Sequence, residues 1–566
     1  MSKSNQKVES PVQRTVTHEG ATGLTQKPEH ELIGILATGL DNTYYENESD
    51  RDKRFCEVFN KVAKKDKVFA AKSLIYARTK FGQRTVTHRG AVELIPYLQG
   101  DELGKKFFSK RERKHNNGGI VYRIDDMTEI LACYLAKNGA DASIPNSIKK
   151  GFKDAIEHAD AYQLAKYQMK NKAVSLVDIV NLVHPEQTAK QGTIKVSVID
   201  YLKAVKGTKW EHKQVDLSTL TENEGNISIP TIHALVLGIL KQFNTVEDKN
   251  TESGKKVAEA VKAGEITKEA SVKILNDSKT ENFKELIDNK KIGYLALIRN
   301  LRNILKTEDT ATLDAACELL VQEDFIKKSL VWPIQIDLAL EIMTLEFSGQ
   351  AMGKVTKALG TAYELSIPNL QNLLPEGRTA VVFDTSGSMG GAIWGSRGCV
   401  IDSKFTIKAA PLDKAALVAA TFAKGVNGDV YHFASNAEKI VGWNPNDSVN
   451  TLKKHFMSQS GRCGHGTYYQ NIFPELERVE GQYSRIFIMT DEQAADSVEQ
   501  SYKDYCNKFG TPHVYFINLV GYGPTVMKQN TRVHRIFGYG ADIYETAKKV
   551  EIDPEAVIKE INAIII

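Results

Sequence analysis

The sequence has few cysteines, six in 566 residues, and no two of them form a CxxC pair. This spacing argues against a zinc site or a disulfide framework and favours a reducing compartment. No run of about 18 uncharged apolar residues occurs, so a membrane-spanning helix is not expected. The first residues also lack the apolar stretch of a signal peptide, and we therefore expect a cytoplasmic protein.

Motifs of common hydrolases and nucleotide-binding proteins are missing too. There is no GxxxxGK[ST] loop and no Gly-x-Ser-x-Gly elbow. A phosphatase that used Asp384 as its nucleophile would usually carry a second carboxylate two residues later, but that position is Ser386. The pattern therefore predicts a binding protein and not an enzyme.

The composition that remains is that of an ordinary globular protein, with 42% hydrophobic and 25% charged residues. A chain of 566 residues is too long for one core and predicts two or more domains. The net charge of +4 is too small to identify a binding partner by itself.

Three oxygen-bearing side chains directly follow an apolar segment. The run Thr379–Phe383 is typical of a central strand in a parallel sheet, which is covered on both faces. Asp384, Ser386 and Ser388 come next, at the carboxyl end where open α/β sheets place their ligands. A carboxylate and two hydroxyls suit a hard divalent cation, so we predict Mg²⁺ binding. A simple Ser/Gly turn after a strand is the alternative.

Two later residues complete this set. Thr467 ends a glycine-rich loop, and Asp491 follows a second apolar run, Arg485–Thr490. The order Asp-x-Ser-x-Ser, Thr, Asp resembles the metal-ion-dependent adhesion site of von Willebrand factor A domains. The resemblance implies that five residues hold the ion, directly or through water: Asp384, Ser386, Ser388, Thr467 and Asp491.

The first two thirds of the chain carry apolar residues at three- and four-residue spacings, which predict amphipathic helices. The predicted helices are Glu31–Leu40, Arg54–Lys80, Ala91–Leu98, Met127–Lys137, Ser175–Val183, Pro230–Phe243 and Ala311–Val321. This succession favours a HEAT-like solenoid in which each helix pair packs on the next. The C-terminal third predicts strands at Thr379–Phe383, Asp429–Phe433, Arg485–Thr490, Val514–Leu519 and Val533–Ile536.

A basic segment interleaved with aromatic residues lies between positions 105 and 123. Its central basic residues are Lys110, Arg111, Arg113 and Lys114. Its aromatic residues are Phe107, Phe108, His115 and Tyr122. Such a mixture suits phosphate contacts combined with base stacking, so we predict RNA binding here. A solvated helix face or loop is the alternative.

The combination of an all-helical N-terminal part and an adhesion-type metal site resembles the TROVE/Ro autoantigen family, in a bacterial or phage-type form. Local stretches carry the resemblance: Gly39–Tyr45, Gly293–Leu301 with its Leu-x-Arg-Asn-Leu pattern, and the helix that starts at Trp332-Pro333. It implies a multidomain protein in which an all-α, HEAT-like helical-repeat ring precedes a doubly wound, Rossmann-like α/β domain of the von Willebrand factor A type. The implied boundaries are a flexible tail at 1–17, a TROVE domain at 18–370 and an A domain at 377–566.

The resemblance also implies RNA partners. Ro proteins bind small noncoding Y RNAs and thread single-stranded ends of misfolded RNA through the ring, and an exoribonuclease such as polynucleotide phosphorylase is the implied protein partner. In this sequence the matching RNA contacts are Lys166, Tyr167 and His184, with Lys170 and Lys172 in the same loop. A histidine that ends a helix before a proline is the alternative interpretation of His184.

A second hypothesis comes from another class of protein. Intracellular A-domain proteins also act as metal-dependent protein-binding adaptors that do not contact RNA.

The stretch 390–411 departs from animal family members and predicts a hairpin or loop beside the ion. We expect Arg299 and Asn300 to have a structural role, because they lie inside an apolar run.

Overall fold

The structure is a computed structural model. It describes residues 13–566 except for 42, 113–116, 160–162, 165–172, 186–282, 285, 289, 291, 330, 332, 367–376, 391–398, 403–404, 408–409, 426, 480–481 and 539–542. The predicted helix Pro230–Phe243 lies outside the described residues. Within them, none of the helices has the length and apolar character needed to cross a membrane.

Strands β1 to β12 are Arg14–Val16, Thr22–Leu24, Arg111–Glu112, Asn117–Gly118, Thr379–Asp384, Cys399–Asp402, Phe405–Ile407, Asp429–Phe433, Ala437–Lys439, Arg485–Thr490, His513–Asn518 and Val533–Phe537. Helices α1 to α10 are Pro28–Thr38, Glu48–Lys65, Lys67–Thr79, Thr85–Leu94, Glu102–Phe107, Asp126–Asn138, Asn146–Glu157, Leu176–Val183, Tyr294–Leu305 and Thr310–Leu320. Helices α11 to α19 are Glu323–Ser329, Pro333–Glu346, Gly349–Ser366, Pro411–Gly425, Val449–Met457, Ile472–Arg478, Glu499–Phe509, Ile543–Ile552 and Ala556–Asn562.

The chain forms two compact units, and each unit is built from two separate stretches of the sequence. The sheet unit takes in residues 1–65 together with 321–563. The helical unit takes in residues 66–320 and the last three residues, 564–566. The helical N-terminal part and the α/β part are both present as predicted, while the predicted domain boundaries at 17, 370 and 377 stay predictions.

The centre of the sheet unit is a six-stranded sheet with the order β12-β11-β10-β5-β8-β9. All neighbouring pairs are parallel except β8 with β9, which is antiparallel. Every second residue of β5, Ala380 and Val382, belongs to the hydrophobic core that includes α16. Helix α14 also packs on β5. Burial by helices explains the continuous apolar runs from which the parallel strands were predicted.

The N-terminal segment is part of the sheet unit. Leu24 and Thr525 exchange main-chain hydrogen bonds of 2.9 and 3.0 Å, which ties β2 to the loop before β12. In α2, the buried guanidinium of Arg51 donates to the carbonyl oxygens of Gly39 at 2.7 Å and Val520 at 3.0 Å. The segment 1–17, predicted as a flexible tail, therefore contains a paired strand, β1, because β2 provides its partner.

In the helical unit, a buried ion-pair network joins α3, α4 and α6. The Asp126 carboxylate accepts hydrogen bonds from Arg78 at 3.0–3.3 Å and from the main-chain nitrogen of Arg123 at 2.8 Å. Nε2 of His88 lies 3.1 Å away from the same carboxylate. Burial by itself would raise the pKa of Asp126, but the His88 and Arg78 contacts outweigh it and lower that pKa well below its usual range.

One predicted helix is two helices in the structure. The sequence pattern predicted a continuous helix over Arg54–Lys80, and this prediction is wrong because the helix breaks at Asp66. The Asp66 side chain caps α3 by accepting a 2.9 Å hydrogen bond from the main-chain nitrogen of Phe69. A capping carboxylate in extended conformation satisfies the first free N–H groups of a new helix and so starts one there.

Candidate functional site

The five predicted metal ligands meet at the carboxyl edge of the sheet. Asp384 is the last residue of β5, and Asp491 follows β10, its hydrogen-bonded parallel neighbour. The turn after β5 is tied to the Thr467 loop by a 3.0 Å hydrogen bond from the Gly387 nitrogen to the His465 carbonyl oxygen. All five side chains are buried: Asp384, Ser386, Ser388, Thr467 and Asp491.

Hydrogen bonds hold the Asp384 carboxylate in a fixed orientation. Its Oδ1 accepts from the main-chain nitrogen of Ser386 at 2.8 Å, and its Oδ2 accepts from the Thr490 hydroxyl at 2.7 Å. The Ser386 and Ser388 hydroxyl oxygens are 3.3 Å apart. The oxygens are therefore arranged by the strand end and the turn.

Two buried carboxylates at this site repel one another. Burial, which disfavours the charged form, raises the pKa of Asp384 to about 6. Burial and then the charge of Asp384 raise the pKa of Asp491 to about 8. A cation between such a pair would favour the ionised form of both.

A buried oxygen at the site also lacks a partner. Oδ1 of Asp491 accepts a 3.1 Å hydrogen bond from the main-chain nitrogen of Gln493, but its buried Oδ2 has no hydrogen-bond partner among the described residues. Buried carboxylate oxygens normally have a partner, and a metal ion is one explanation for an exception. The donor set and the unpartnered oxygen fit a hard divalent cation.

The N-terminal segment approaches this site, which the sequence analysis did not predict. The Thr17 hydroxyl donates to the Ala494 carbonyl oxygen at 2.6 Å, and the His18 nitrogen donates to Oε1 of Gln493 at 2.9 Å. The next residue, Glu19, accepts from the Tyr45 hydroxyl. Its charge adds to burial and the other acid in raising the pKa of Asp491. No local motif links residues 477 positions apart.

A buried ion pair directly follows Asp491. Glu492 has a positive φ of 59°, and its carboxylate accepts from Arg535 at 2.7–3.1 Å and from Asn518 at 3.0 Å. Strained backbone of this kind persists where the surrounding contacts enforce it. The pair fixes the chain just after Asp491, and its partners lie too far along the sequence for local patterns to predict them.

A second group of metal-type side chains lies on the β8 side of the sheet. His432 and Glu438 are opposite each other in the β8–β9 pair, and the Cys463 sulfur is 3.6 Å from Nε2 of His432. Within the described part of the chain, ligand atoms of these three residues lie within 4.8 Å of one another. The spacing of the cysteines in the sequence had argued against a zinc site. In the fold, strand pairing places Glu438 beside His432, and a loop brings Cys463 to them.

Most of the predicted RNA contacts lie outside the described residues: Lys166, Tyr167, Lys170, Lys172, Arg113 and Lys114. His184 is described, and its side chain is exposed at the end of α8. The Lys110 amine donates to Oε1 of Gln163 at 3.0 Å. Arg111 is buried and donates to the carbonyl oxygens of Gly118 at 2.6 Å and Ile565 at 2.8 Å, which ties the end of the chain to β3.

Two aromatic residues of the basic segment, Phe107 and Phe108, belong to the core of the helical unit. Phe107 and Phe108 are fully buried, and the Phe108 ring contacts Phe152 of α7 edge-on, at 6.1 Å between centroids. Gly151 allows this approach, since a Cβ there would lie 2.5 Å from the Phe108 Cβ. The prediction that these two rings stack on bases is therefore wrong, because helix packing covers them.

The described fold is a helical N-terminal region followed by a mixed six-stranded sheet with two buried carboxylates at its carboxyl edge. The family model described as TROVE domain matches residues 21–386, well over half of the chain. The chain belongs to the TROVE-domain family, and this membership supports an RNA-binding protein of Ro type.

Comparison with solved structures and curated proteins adds two findings. The chain is similar to the structure described as "Crystal structure of Deinococcus radiodurans RO (RSR) protein", with a TM-score of 0.47 and 14% sequence identity. That match covers 93% of this chain and 100% of that chain. No curated protein matches the sequence.

Proposed function

We propose that the chain is an RNA-binding protein of Ro type that binds small noncoding, Y-like RNA and the single-stranded ends of misfolded RNA. In this proposal the helical repeats form a ring, and the protein stabilises RNA or serves its quality control in the cytoplasm. The observation that carries the proposal is the TROVE match over residues 21–386. The chain needs no catalytic step of its own, and an exoribonuclease such as polynucleotide phosphorylase is the proposed protein partner.

The end of α8 supports an RNA contact at His184. Val183 is buried, whereas His184 is exposed and adopts a left-handed conformation with a φ of 44°. This conformation ends the helix and leaves the imidazole at the surface. Imidazole N–H groups donate to phosphate oxygens, and such contacts position a protein on nucleic acid. Lys166, Tyr167, Lys170 and Lys172 remain predicted contacts in the preceding segment.

We also propose that the five buried oxygen ligands hold Mg²⁺. The buried Asp384 and Asp491 carboxylates would provide its charge compensation, with Ser386, Ser388 and Thr467 as hydroxyl ligands. The ion would offer a position for an acidic group from a binding partner. In the chain itself, Glu19 already brings a carboxylate towards this edge of the sheet.

The first experiment is crosslinking of the full chain to RNA in its native host, followed by recovery and sequencing of the bound RNA. The double variant Lys166→Ala/His184→Ala is compared with the wild type. Removing one phosphate-binding charge and one hydrogen-bond donor is expected to reduce recovery of an abundant structured RNA by about tenfold or more.

The matched control is Lys61→Ala/Lys357→Ala, which removes charge from exposed positions on α2 and α13. Normal recovery with this control assigns the loss to the predicted RNA contacts. An equal loss with the control would instead indicate nonspecific charge attraction. Background recovery from the wild-type protein would contradict RNA binding and favour the metal-dependent protein adaptor.

A further inference from the structure

The side chains of His432, Glu438 and Cys463 come together beside the β8–β9 pair. Residues that face each other in an antiparallel pair have side chains on the same face, which places His432 and Glu438 together. The distance from Nε2 of His432 to Oε2 of Glu438 is 3.9 Å. Cys463 reaches the same point from the loop after α15, because the main-chain nitrogen of Asn436 donates to its carbonyl oxygen at 3.0 Å.

The distance between the sulfur and the imidazole nitrogen fits a tetrahedral zinc ion. Zinc binds sulfur at about 2.3 Å and imidazole nitrogen at about 2.0–2.1 Å, which puts two such ligands about 3.5–3.6 Å apart. The distance between the Cys463 sulfur and Nε2 of His432 is 3.6 Å. All three ligand atoms lie within 4.8 Å of one another. The Glu438 side chain is 46% exposed and can rotate to bring its carboxylate to the ion.

The orientation of the imidazole is already set for metal binding. Nδ1 of His432 lies 3.4 Å from the Thr385 hydroxyl oxygen, and that hydroxyl donates to the Phe433 carbonyl oxygen at 3.1 Å. Because the hydroxyl hydrogen is used there, the Thr385 oxygen can accept a hydrogen bond from Nδ1 of His432, and this is the tautomer that leaves Nε2 free to bind a metal. The lone pair of Nε2 then points to Cys463 and Glu438, as a metal ligand requires.

We propose that His432, Glu438 and Cys463 bind one zinc ion, with a water molecule at the fourth position. This site is separate from the five-oxygen site, since a thiolate selects a softer metal than Mg²⁺. The two sites are neighbours in sequence, because Cys463 precedes the loop that carries Thr467 and Thr385 follows Asp384. Zinc would thus fix the start of the Thr467 loop.

Nearby groups determine the charge balance of the zinc site. Arg462 is exposed and lies 3.4 Å from Oε2 of Glu438, so zinc competes with this guanidinium for the carboxylate. Burial, then the charge of Glu438, raises the pKa of the Cys463 thiol to about 12. Burial, then Arg462, lowers the pKa of His432 to about 4, so the imidazole is neutral. Because cysteine binds zinc as the thiolate, zinc binding releases the thiol proton to solvent.

The test uses Co²⁺ as a spectroscopic probe for zinc in the metal-free full chain. A thiolate-to-cobalt charge-transfer band at one equivalent is expected, with tetrahedral ligand-field bands, and added Zn²⁺ should remove them. Cys463→Ser should abolish the charge-transfer band. The matched control Cys506→Ser, at a half-buried cysteine of the same unit, should retain it, and so should Asp491→Asn.

A wild-type protein without a thiolate band would overturn the proposal, and so would a band that persists in Cys463→Ser. Because Cys463 is buried, its variant can fail to fold. Glu438→Gln lies at a half-exposed edge position and is the second variant. Circular dichroism checks that it folds, and Co²⁺ titration measures its affinity for the metal. We expect at least about tenfold weaker Co²⁺ binding in this variant, and unchanged affinity would contradict the three-ligand site.

Discussion

At the residue scale, the two acids at the sheet edge are costly to ionise, because burial raises the pKa of each of them. Asp384 and Asp491 are both fully buried, and the nearest compensating groups are hydroxyls and main-chain N–H groups. Neutral donors stabilise a carboxylate less than a cation does. The stability of the sheet unit should therefore depend on divalent cations and on pH.

Replacing Asp491 by Asn should make the metal-free protein more stable at pH 8, by about 1 kcal/mol or more, or about 2–4 °C in melting temperature. The pKa of Asp491 is raised to about 8 in the folded wild-type protein, compared with about 4 in the unfolded chain. As far as Asp491 is concerned, the wild-type protein therefore has its full stability below about pH 4 and loses stability as the pH rises through about 8. The advantage of Asp491→Asn should therefore grow from pH 4 to pH 8.

Thermal melts with chelator and with Mg²⁺ measure this effect. Mg²⁺ should raise the melting temperature of the wild type and leave Asp491→Asn nearly unchanged. Asp504→Asn, at an exposed position on α17, is the matched control and should respond to Mg²⁺ as the wild type does. If Mg²⁺ raised the melting temperatures of Asp491→Asn and Asp504→Asn equally, the ion would not bind between Asp384 and Asp491.

The sequence order predicted that five oxygen-bearing side chains lie together at the carboxyl edge of the sheet, and their role as metal ligands stays a prediction. Asp384, Ser386 and Ser388 are local, and the end of β10 places Asp491 beside them. Thr467 comes from a loop that is hydrogen-bonded to the turn after β5. His432 and Cys463 are 31 residues apart, and their contact depends on the β8–β9 register and a loop path that no spacing rule predicts. Arg299 was expected to be structural, but it is exposed, because the apolar face of α9 is formed by Leu297, Ile298 and Leu301.

At the element scale, α1 packs directly on β12 through a position that only glycine fits. A Cβ on Gly34 would lie 2.7 Å from Cε1 of Phe537, well inside contact distance. The neighbouring residues Leu32, Ile33 and Ile35 are buried in the same helix. The close approach therefore packs α1 tightly against β12, the edge strand of the sheet.

Gly34→Ala should destabilise the sheet unit by about 1–3 kcal/mol, because the added methyl group overpacks the contact with Phe537. The matched control is Gly353→Ala on α13, where an added Cβ meets no atom within 4 Å. This control should be neutral or stabilising by about 0.4–1 kcal/mol, as alanine restricts the unfolded chain. Urea unfolding of both variants measures the difference, and equal free energies of unfolding would exclude tight packing of α1 on β12.

Elements with strong local patterns were predicted with nearly correct bounds. Asp429–Phe433 and Arg485–Thr490 match the predicted strands, and Met127–Lys137 is found as Asp126–Asn138. The short, polar edge strand Ala437–Lys439 was missed, because it has three residues and no apolar run. Phe107 and Phe108 misled the prediction of a stacking surface, since composition does not show which side of a helix packs inward.

At the scale of the whole molecule, the sheet unit is discontinuous in sequence. Its first 65 residues provide α1, α2 and the β1–β2 pair, while the sheet comes from the last third of the chain. The helices Glu323–Ser329 to Gly349–Ser366 belong to it as well, and Lys424 joins Glu364 at 2.6 Å. A fragment cut at the predicted A-domain boundary would lack these elements.

A fragment of residues 321–566 should therefore be poorly folded without the first 65 residues. Supplying residues 1–65 as a separate chain should restore a cooperative melt and lower the binding of a hydrophobic dye, because apolar surface of α1 and the sheet is covered again. The same peptide with Gly34→Ala is the matched control and should restore less. A cooperative melt of 321–566 by itself, unchanged by the peptide, would contradict this dependence.

The Arg51–Val520 contact, which joins residues 469 positions apart, also constrains the order of events on the ribosome. At synthesis rates of about 5–20 residues per second, α1 and α2 leave the ribosome roughly 25–95 s before their partner strands exist. During that interval α1 lacks its contact with β12, and its apolar residues that are buried in the finished protein, such as Leu32 and Ile35, are less covered. We therefore expect a chaperone to bind the N-terminal region of the nascent chain. In a circular permutant in which residues 1–65 follow residue 566, this region is made after the sheet, and a chaperone should bind for a shorter time.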